Sequence, residues 1–302
     1  MSPLLAGLRV VDFSSRLPGP MACSYLGELG ATVVKIEDIH HVDPFECGIK
    51  NVETSEFPVW YKNINGEKNI IRYDFKNESD QEKIKQLIAG SHVFISSLPE
   101  KVEKLIDLDQ TTLNALNLPI AKVNVHANID RTPMHDLNAL AQSGALKLYL
   151  EDKDSEIVRP PFLPLAGMVF SKQLALEATS CWIKALSEKS FVQTHCYLLD
   201  SFVSASKKLQ LEGEFSYLHY GAYPSYNIYR LKDHSYLAVA AVEEHFFKSF
   251  IEIFDLDIKL EDRFSKSVEV LKKISSTLQT FSSQNAMDLL KNVDICVDVI
   301  TQ

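Results

Sequence analysis

The sequence predicts an α/β protein: an open, mostly parallel sheet with helices on both faces, followed by a smaller α+β domain. Three observations predict it. The stretch Pro3 to Asp38 packs a β-branched run, a proline-broken turn, a helix and a second β-branched run into one short unit. Helix and strand patterns then alternate as far as Leu199. Beyond that, a hairpin pattern is followed by helical stretches and one closing apolar run.

Arg9 to Phe13 (RVVDF) is bounded by Gly7 and by Ser14-Ser15, which fits a buried strand. Pro18-Gly19-Pro20 breaks the chain. Pro20 can sit in the first turn of a helix Met21 to Leu29, where a missing N–H costs nothing, and Gly30 stops that helix. Thr32 to Glu37 (TVVKIE) resumes a strand. A strand, helix and strand this close together call for a parallel pair with a right-handed crossover. No G-x-G-x-x-G occurs in it, so a dinucleotide fingerprint is not supported.

Ile39 to Val59 has no sustained periodicity and is expected to be a loop. His40, His41 and Cys47 in this loop have no fourth ligand at zinc spacing, so no metal is expected there. Trp60 to Phe75 alternates and turns at Asn65-Gly66. Ser79 to Ala89 is an amphipathic helix carrying Ile84, Leu87 and Ile88, Gly90 stops it, and Val93 to Ile95 begins another strand. Leu118 to Ala127 is a further strand, Ser171 to Leu186 a helix, and Gln193 to Leu199 a strand. Tyr229 to Ala241 reads as two antiparallel strands turning at Lys232-Asp233-His234. Phe246 to Leu256, Val268 to Phe281 and Asn285 to Lys291 are helical, and Ile295 to Ile300 is a closing strand. The expected division is a large domain over residues 1–205 and a small one over 220–302.

Of the 302 residues, 46% are hydrophobic and 24% charged, enough for a substantial core in one large or two medium domains. A formal net charge of −9 argues against a nucleic-acid or anionic-membrane surface and leaves room only for a local basic pocket. The five cysteines (23, 47, 181, 196 and 296) are odd in number and include no C-x-x-C, which points to free thiols in a reducing compartment. No leader and no membrane-length apolar run is read, so a cytoplasmic protein is expected.

PLLAGLRVVDFSSRLPGPMACSYLGELGATVVKIED resembles the N-terminus of the class III CoA-transferases, the family of formyl-CoA transferase, carnitine CoA-transferases and alpha-methylacyl-CoA racemase. The later stretch NINGEKNIIRYDFKNESDQEKIKQLIAGSHVFISSLPEKVEKLIDL is similar to the family's next segment. The resemblance implies a Rossmann-like large domain, a coenzyme A thioester ligand, no metal, and a dimer. Arg16, Lys35, Lys68 and Lys76 are its candidate cofactor-binding residues. Where relatives carry Asn-Phe-Arg-Pro-Gly near the CoA phosphates, this chain has Ser97-Leu98-Pro99-Glu100, so an Arg has become Leu and an acid has arrived. Weak or absent CoA binding is therefore expected. The family's glycine-rich loop is replaced by His126-Ala127-Asn128-Ile129-Asp130, which implies a bulkier pocket wall.

Met134-His135-Asp136-Leu137-Asn138 resembles the GHDIN segment of the racemase branch, in which the His is an acid/base group. By residue type alone His135 is a helix N-terminal histidine, capping or simply exposed. The resemblance implies an acid/base role for it, with Asp136 beside it, because an imidazole can take and return a proton near neutral pH. The family's nucleophilic Asp follows a Pro-Pro pair. Here Pro160-Pro161 is followed by Gly167 in the nearest position, and glycine cannot be a nucleophile. Val239 to Phe247 (VAAVEEHFF) resembles the racemase VGAIEPQFY, whose Glu bonds the catalytic His. Glu243 is the match, with a helix N-terminal carboxylate as the other reading. Relatives continue through a linker back to the large domain, a segment this sequence does not include.

Two functions follow. One is an acyl-CoA racemase-like or CoA-transferase-like enzyme that moves a proton on an acyl thioester through His135, with Glu243 and Asp136 as the other catalytic candidates. The other is a non-catalytic binding or scaffolding homologue, or the inactive subunit of a heterodimer. The expected partners are an acyl-CoA or other thioester and a second copy of this chain or a related chain. Nucleic acid and membrane are not expected.

Overall fold

The computed structural model describes residues 3–48, 56–150, 159–211 and 214–301. The chain divides into two compact units, Met1–Lys208 and Leu209–Gln302.

The first unit is built on six strands: β1 (Arg9–Phe13), β2 (Thr32–Asp38), β3 (Asn69–Tyr73), β4 (Val93–Ser96), β5 (Ala121–His126) and β6 (Val192–Tyr197). They form one all-parallel sheet in the order β3-β2-β1-β4-β5-β6. The order reverses between β1 and β4, and in open α/β sheets ligand crevices open at the carboxyl ends of strands beside such a reversal.

Successive side chains of a strand point to opposite faces, and β1, β2 and β4 carry apolar residues on both. Val10, Val33, Ile95 and Val123 pack with Leu26 of the helix Pro18–Glu28 and with Phe170 and Leu174 of the long helix Leu165–Glu188. Their neighbours Val11, Ile36 and Phe94 pack on the other face with Ile84 and Ile88 of the helix Glu78–Ala89. Each such fully buried aliphatic side chain contributes about 1.5–3 kcal/mol. Phe94 is wholly buried, and cutting it back to Ala would cost about 3–5 kcal/mol. Gly30 is required by its neighbour: its φ is +101°, and a Cβ there would stand 2.1 Å from that of Pro3.

The structure corrects the sequence reading in four places. Trp60 to Phe75 is not an alternating turn structure, since Glu56–Asn65 is a helix and only Asn69–Tyr73 is extended. Pro58 lies in the first turn of that helix, where it is tolerated, and only Tyr61 and Asn65 are buried, a stripe too thin to show as periodicity. The preceding loop holds a one-turn helix, Pro44–Cys47, capped by the Asp43 carboxylate. Positions 49–55 of the same reading lie outside the described residues. The helix expected from Ser171 begins at Leu165, directly after Pro164, which places Gly167 in its first turn. The strand expected to reach Leu199 ends at Tyr197, and Leu198–Lys207 is helical.

In the second unit β7 (Gln210–Leu211) pairs with β8 (Glu214–Phe215). A three-stranded antiparallel sheet follows, built from β9 (Asn227–Arg230), β10 (Tyr236–Val239) and β11 (Val297–Ile300) with β10 in the middle. Helices Glu244–Ile253, Val268–Leu278 and Ser283–Leu290 pack on it around Leu237, Phe247, Phe250, Ile274 and Ala286. The Asp233 carboxylate in the β9–β10 turn accepts hydrogen bonds from the Ser283 N–H (2.8 Å) and hydroxyl (2.7 Å), which ties the turn to the start of the last helix. No helix among the described residues is long and apolar enough to cross a membrane.

Candidate functional site

Charge gathers first at the carboxyl ends of β1 and β2. The Asp12 carboxylate is fully buried and accepts from Lys68 Nζ (2.9 Å), from the Ser14 N–H (3.0 Å) and from the Ser14 hydroxyl. Burial alone would raise its pKa, but Lys35, Lys68 and Ser14 together outweigh burial and hold it down at about 2. Lys35 Nζ donates to the Ser14 carbonyl (2.6 Å) and lies 3.7 Å from Glu37 and 3.8 Å from Asp43. Lys68 Nζ also donates to Pro20 O and Asn65 Oδ1, both at 2.7 Å, so its three protons all have acceptors within the protein. Arg16 and Lys76 are exposed. Arg16 has a left-handed backbone (φ 66°), and its N–H donates to Asp43 (2.9 Å). Two of the four candidate cofactor-binding cations thus hold the protein's own carboxylates, and the other two face solvent.

His135 precedes the helix Asp136–Gln142 and is exposed, with its backbone N–H bonded to Asn138 Oδ1 at 3.0 Å. Asp136 reaches across to the long helix, where its Oδ1 accepts the Gly167 N–H at 2.7 Å. Unpaired N–H groups at a helix start favour a carboxylate at this point. Burial raises the Asp136 carboxyl above the usual range, while the Gly167 and Ala166 N–H groups oppose that shift. A Cβ built on Gly167 would stand 3.0 Å from Leu17 Cδ2 and 3.6 Å from Asp136 Oδ1. The carboxylate of residue 136 therefore stands against the space into which a side chain at 167 would project. Glu243 lies in the second unit, exposed, at the N-cap of the helix Glu244–Ile253.

A cavity of about 750 Å³ opens at the carboxyl ends of β4 and β5, bounded by Ser96 to Glu100, by Lys122, Asn124 and His126 of β5, by Arg131, and by Gln193 and His195 of β6. Its wall holds a buried relay in which Ser96 Oγ donates to Glu103 Oε1 (2.7 Å) and Lys122 Nζ donates to Glu103 Oε2 (2.8 Å). His126 Nε2 and His195 Nδ1 are 2.9 Å apart, and the rings are near parallel. The Tyr197 ring also stacks on His126, with centroids 5.3 Å apart. Burial, the neighbouring His195 and Arg131 push the His126 pKa down, and burial, Arg131 and Lys122 do the same to His195. Sequence reasoning did not select this pair as functional. The available signal was polar alternation, Lys122, Asn124 and His126 opposite Ala121, Val123 and Val125 on one strand, and Gln193, His195 and Tyr197 opposite Val192, Thr194 and Cys196 on another.

Among the described residues one group has metal-ligand geometry: Asp38, His40 and Asp74 offer ligand atoms within 4.8 Å of one another. They are engaged with one another and with His41, whose Nδ1 is 2.8 Å from Asp38, while His40 Nε2 is 3.4 Å from Asp74. Cys47 is exposed and outside the group.

The sequence model of CoA-transferase family III matches residues 5–171 and 185–302. A Caenorhabditis elegans CaiB/baiF CoA-transferase family protein is 24% identical over 312 aligned positions, covering 98% of this chain and 86% of its own. Human succinyl-CoA:glutarate CoA-transferase is 27% identical over 162 positions, 52% of this chain and 36% of that protein. Among solved structures, a CAIB/BAIF family protein from Brucella suis superposes with a TM-score of 0.76 at 16% identity, covering 99% of this chain and 84% of that one. A Mycobacterium tuberculosis protein gives 0.73 at 15% identity, covering 100% and 83%. At these identities the structural likeness establishes the fold.

Proposed function

The chain belongs to CoA-transferase family III, and on that premise we propose that it acts on an acyl-CoA thioester by moving a proton at the α-carbon, with His135 as the acid/base group, and does not carry CoA on a carboxylate. The observation behind this reading is Gly167. Acyl transfer through an anhydride needs a carboxylate free to attack. At the start of the long helix the chain offers a side-chain-free residue whose N–H already binds Asp136 at 2.7 Å. His135, the adjacent residue, is exposed, and an imidazole can take a proton from a thioester α-carbon and return it. Arg16 and Lys76 are the cations left for the CoA phosphates, since Lys35 and Lys68 are engaged internally. Family membership supports a dimer, and five free cysteines support a reducing, cytoplasmic setting.

A second reading, a non-catalytic homologue that binds or scaffolds, is favoured by Leu98 and Glu100 at the edge of the cavity, where relatives place an Arg. One experiment separates the two: deuterium incorporation from heavy water into a panel of 2-methylacyl-CoA thioesters, followed on wild type and His135→Ala. Exchange lost in His135→Ala supports proton transfer. Exchange that survives the substitution removes His135 from the mechanism, and efficient CoA exchange between acids assigns transferase chemistry instead. Neither activity with any thioester favours the non-catalytic reading.

A further inference from the structure

We propose that Asp38, His40 and Asp74 bind a divalent transition-metal ion of the zinc type, which clasps the carboxyl ends of β2 and β3. The sheet register gathers the ligands. β2 and β3 pair in parallel with Asp38 opposite Tyr73, so Asp74, one residue past β3, stands beside the end of β2. A tight turn follows β2, in which the His41 N–H donates to the Asp38 carbonyl (3.0 Å), and it returns the His40 ring to the two carboxylates. Three ligand atoms, one from each residue, then lie within 4.8 Å of one another. Spacing along the chain does not show this set, because Asp74 reaches it from a different strand.

Each carboxylate is held by one oxygen and offers the other. Asp38 Oδ1 accepts the His40 N–H (3.1 Å), and Asp74 Oδ1 accepts the Lys76 N–H (2.9 Å). Asp74 Oδ2 faces His40 Nε2 at 3.4 Å. That separation is longer than a charge-assisted hydrogen bond, about 2.7–2.9 Å. It matches the edge of a tetrahedron, roughly 3.3–3.6 Å, whose corners lie at zinc–ligand distances of about 2.0–2.2 Å. Asp38 Oδ2 lies 2.8 Å from His41 Nδ1, so His41 supplies the hydrogen bond that orients a ligating carboxylate.

The local charges also call for a cation. Neighbouring acids are matched by Lys or Arg: Glu37 by Lys35 and Arg72, Glu46 by Arg72, and Asp80 by Lys83. Among the described residues neither Asp38 nor Asp74 has such a partner, and imidazoles alone face them. Imidazole and carboxylate without thiolate suit Zn²⁺, Co²⁺ or Ni²⁺, whereas Mg²⁺ and Ca²⁺ take oxygen ligands. His40 is exposed, so an ion reaches the site from solvent. β3 is the outermost strand of the sheet, with β2 as its neighbour, and an ion shared by Asp38 and Asp74 fastens that margin at its carboxyl end. His135, Asp136 and Gly167 are not part of the group, so the inference stands apart from the proposed thioester chemistry.

The test is titration of the full chain, freed of metal by a chelator, with Zn²⁺ alone by calorimetry and with Co²⁺ alone by visible absorption. The expected result is a micromolar site taking one Zn²⁺ per chain, which Mg²⁺ at the same concentration does not fill, and a bound-Co²⁺ spectrum that Zn²⁺ erases. His40→Ala, Asp74→Asn and, through the lost hydrogen bond, His41→Ala should each weaken Zn²⁺ binding at least about tenfold. Cys47→Ser should leave the affinity unchanged. Histidine side-chain NMR on the wild type gives a readout independent of the variants' folding: Zn²⁺ should move the His40 and His41 ring signals ahead of those of the other histidines. The proposal is overturned by absence of saturable Zn²⁺ binding up to millimolar concentration, or by affinity unchanged in both His40→Ala and Asp74→Asn. Loss of the site in Cys47→Ser, a near-ultraviolet thiolate band from bound Co²⁺, or other histidines responding first would overturn it equally.

Discussion

Gly167→Asp should destabilise the protein by about 3 kcal/mol relative to Gly167→Asn at neutral pH. A Cβ at this position would stand 3.6 Å from Asp136 Oδ1. The new carboxylate and that of Asp136 would then have charge centres about 4–5 Å apart, a repulsion of about 3–4 kcal/mol at an effective dielectric constant of about 20. The helix N-terminus returns about 0.3–1 kcal/mol to the added acid. Asparagine has the same size and meets the same 3.0 Å contact with Leu17 Cδ2, so the steric cost cancels in the comparison. In thermal unfolding the Asp variant should melt roughly 6–12 °C below the Asn variant. The repulsion exists only while both acids are ionised, so the gap should be full above the raised pKa of the pair and close as pH falls below the ordinary carboxylate range. Equal melting temperatures at neutral pH, or a gap that persists in acid, would refute the placement of an ionised Asp136 beside Gly167. Adding Asp136→Asn to Gly167→Asp should restore most of the loss, and the double variant is the form in which to look for CoA exchange between acids.

Asp12→Ala should cost about 3–5 kcal/mol in urea unfolding, because it leaves the buried Lys35 and Lys68 without their shared carboxylate. In the wild type the Asp12 pKa is held down at about 2, so roughly 2 kcal/mol of stability should be present above the normal Asp range and fall away as pH drops toward 2, a loss that Asp12→Asn removes. Lys122→Met should likewise cost about 3–5 kcal/mol, and adding Glu103→Gln should recover part of it, as a double-mutant cycle would measure. Tyr61→Phe should cost about 1–3 kcal/mol, since the Tyr61 hydroxyl donates to the buried Glu37 at 2.8 Å; unfolding curves that match wild type would show that bond to be unimportant.

The sheet was legible because its strands announce themselves locally. RVVDF and TVVKIE are β-branched runs framed by glycine, serine and proline, and β1 and β2 begin where those frames put them. The helix Glu56–Asn65 was not legible, because it buries only Tyr61 and Asn65 and its proline reads as a breaker until it is seen to lie in the first turn. His135 and Asp136 could be picked out by motif, but the contact between Asp136 and Gly167 joins two helix starts and has no local signature. The imidazole pair was hidden for the same reason. His126 and His195 meet only because β5 and β6 pair with Asn124 opposite His195 and His126 opposite Tyr197, a register that neither strand encodes alone.

The order in which the strands occur along the chain also shapes how the sheet can be born. β1, β2, β3 and β4 all lie before Ser97, so four neighbouring strands can associate early in synthesis. β5 can join them once His126 has emerged, but its outer partner β6 does not begin until Val192. Closing a loop of that length carries an entropic cost before the pairing repays any of it. For the whole of that interval the outer margin of β5 is a row of unpaired N–H and C=O groups, the kind of template on which a second nascent chain can add a strand. A chain cut short between His126 and Val192 would keep that bare margin permanently, because β6 is the strand that covers it.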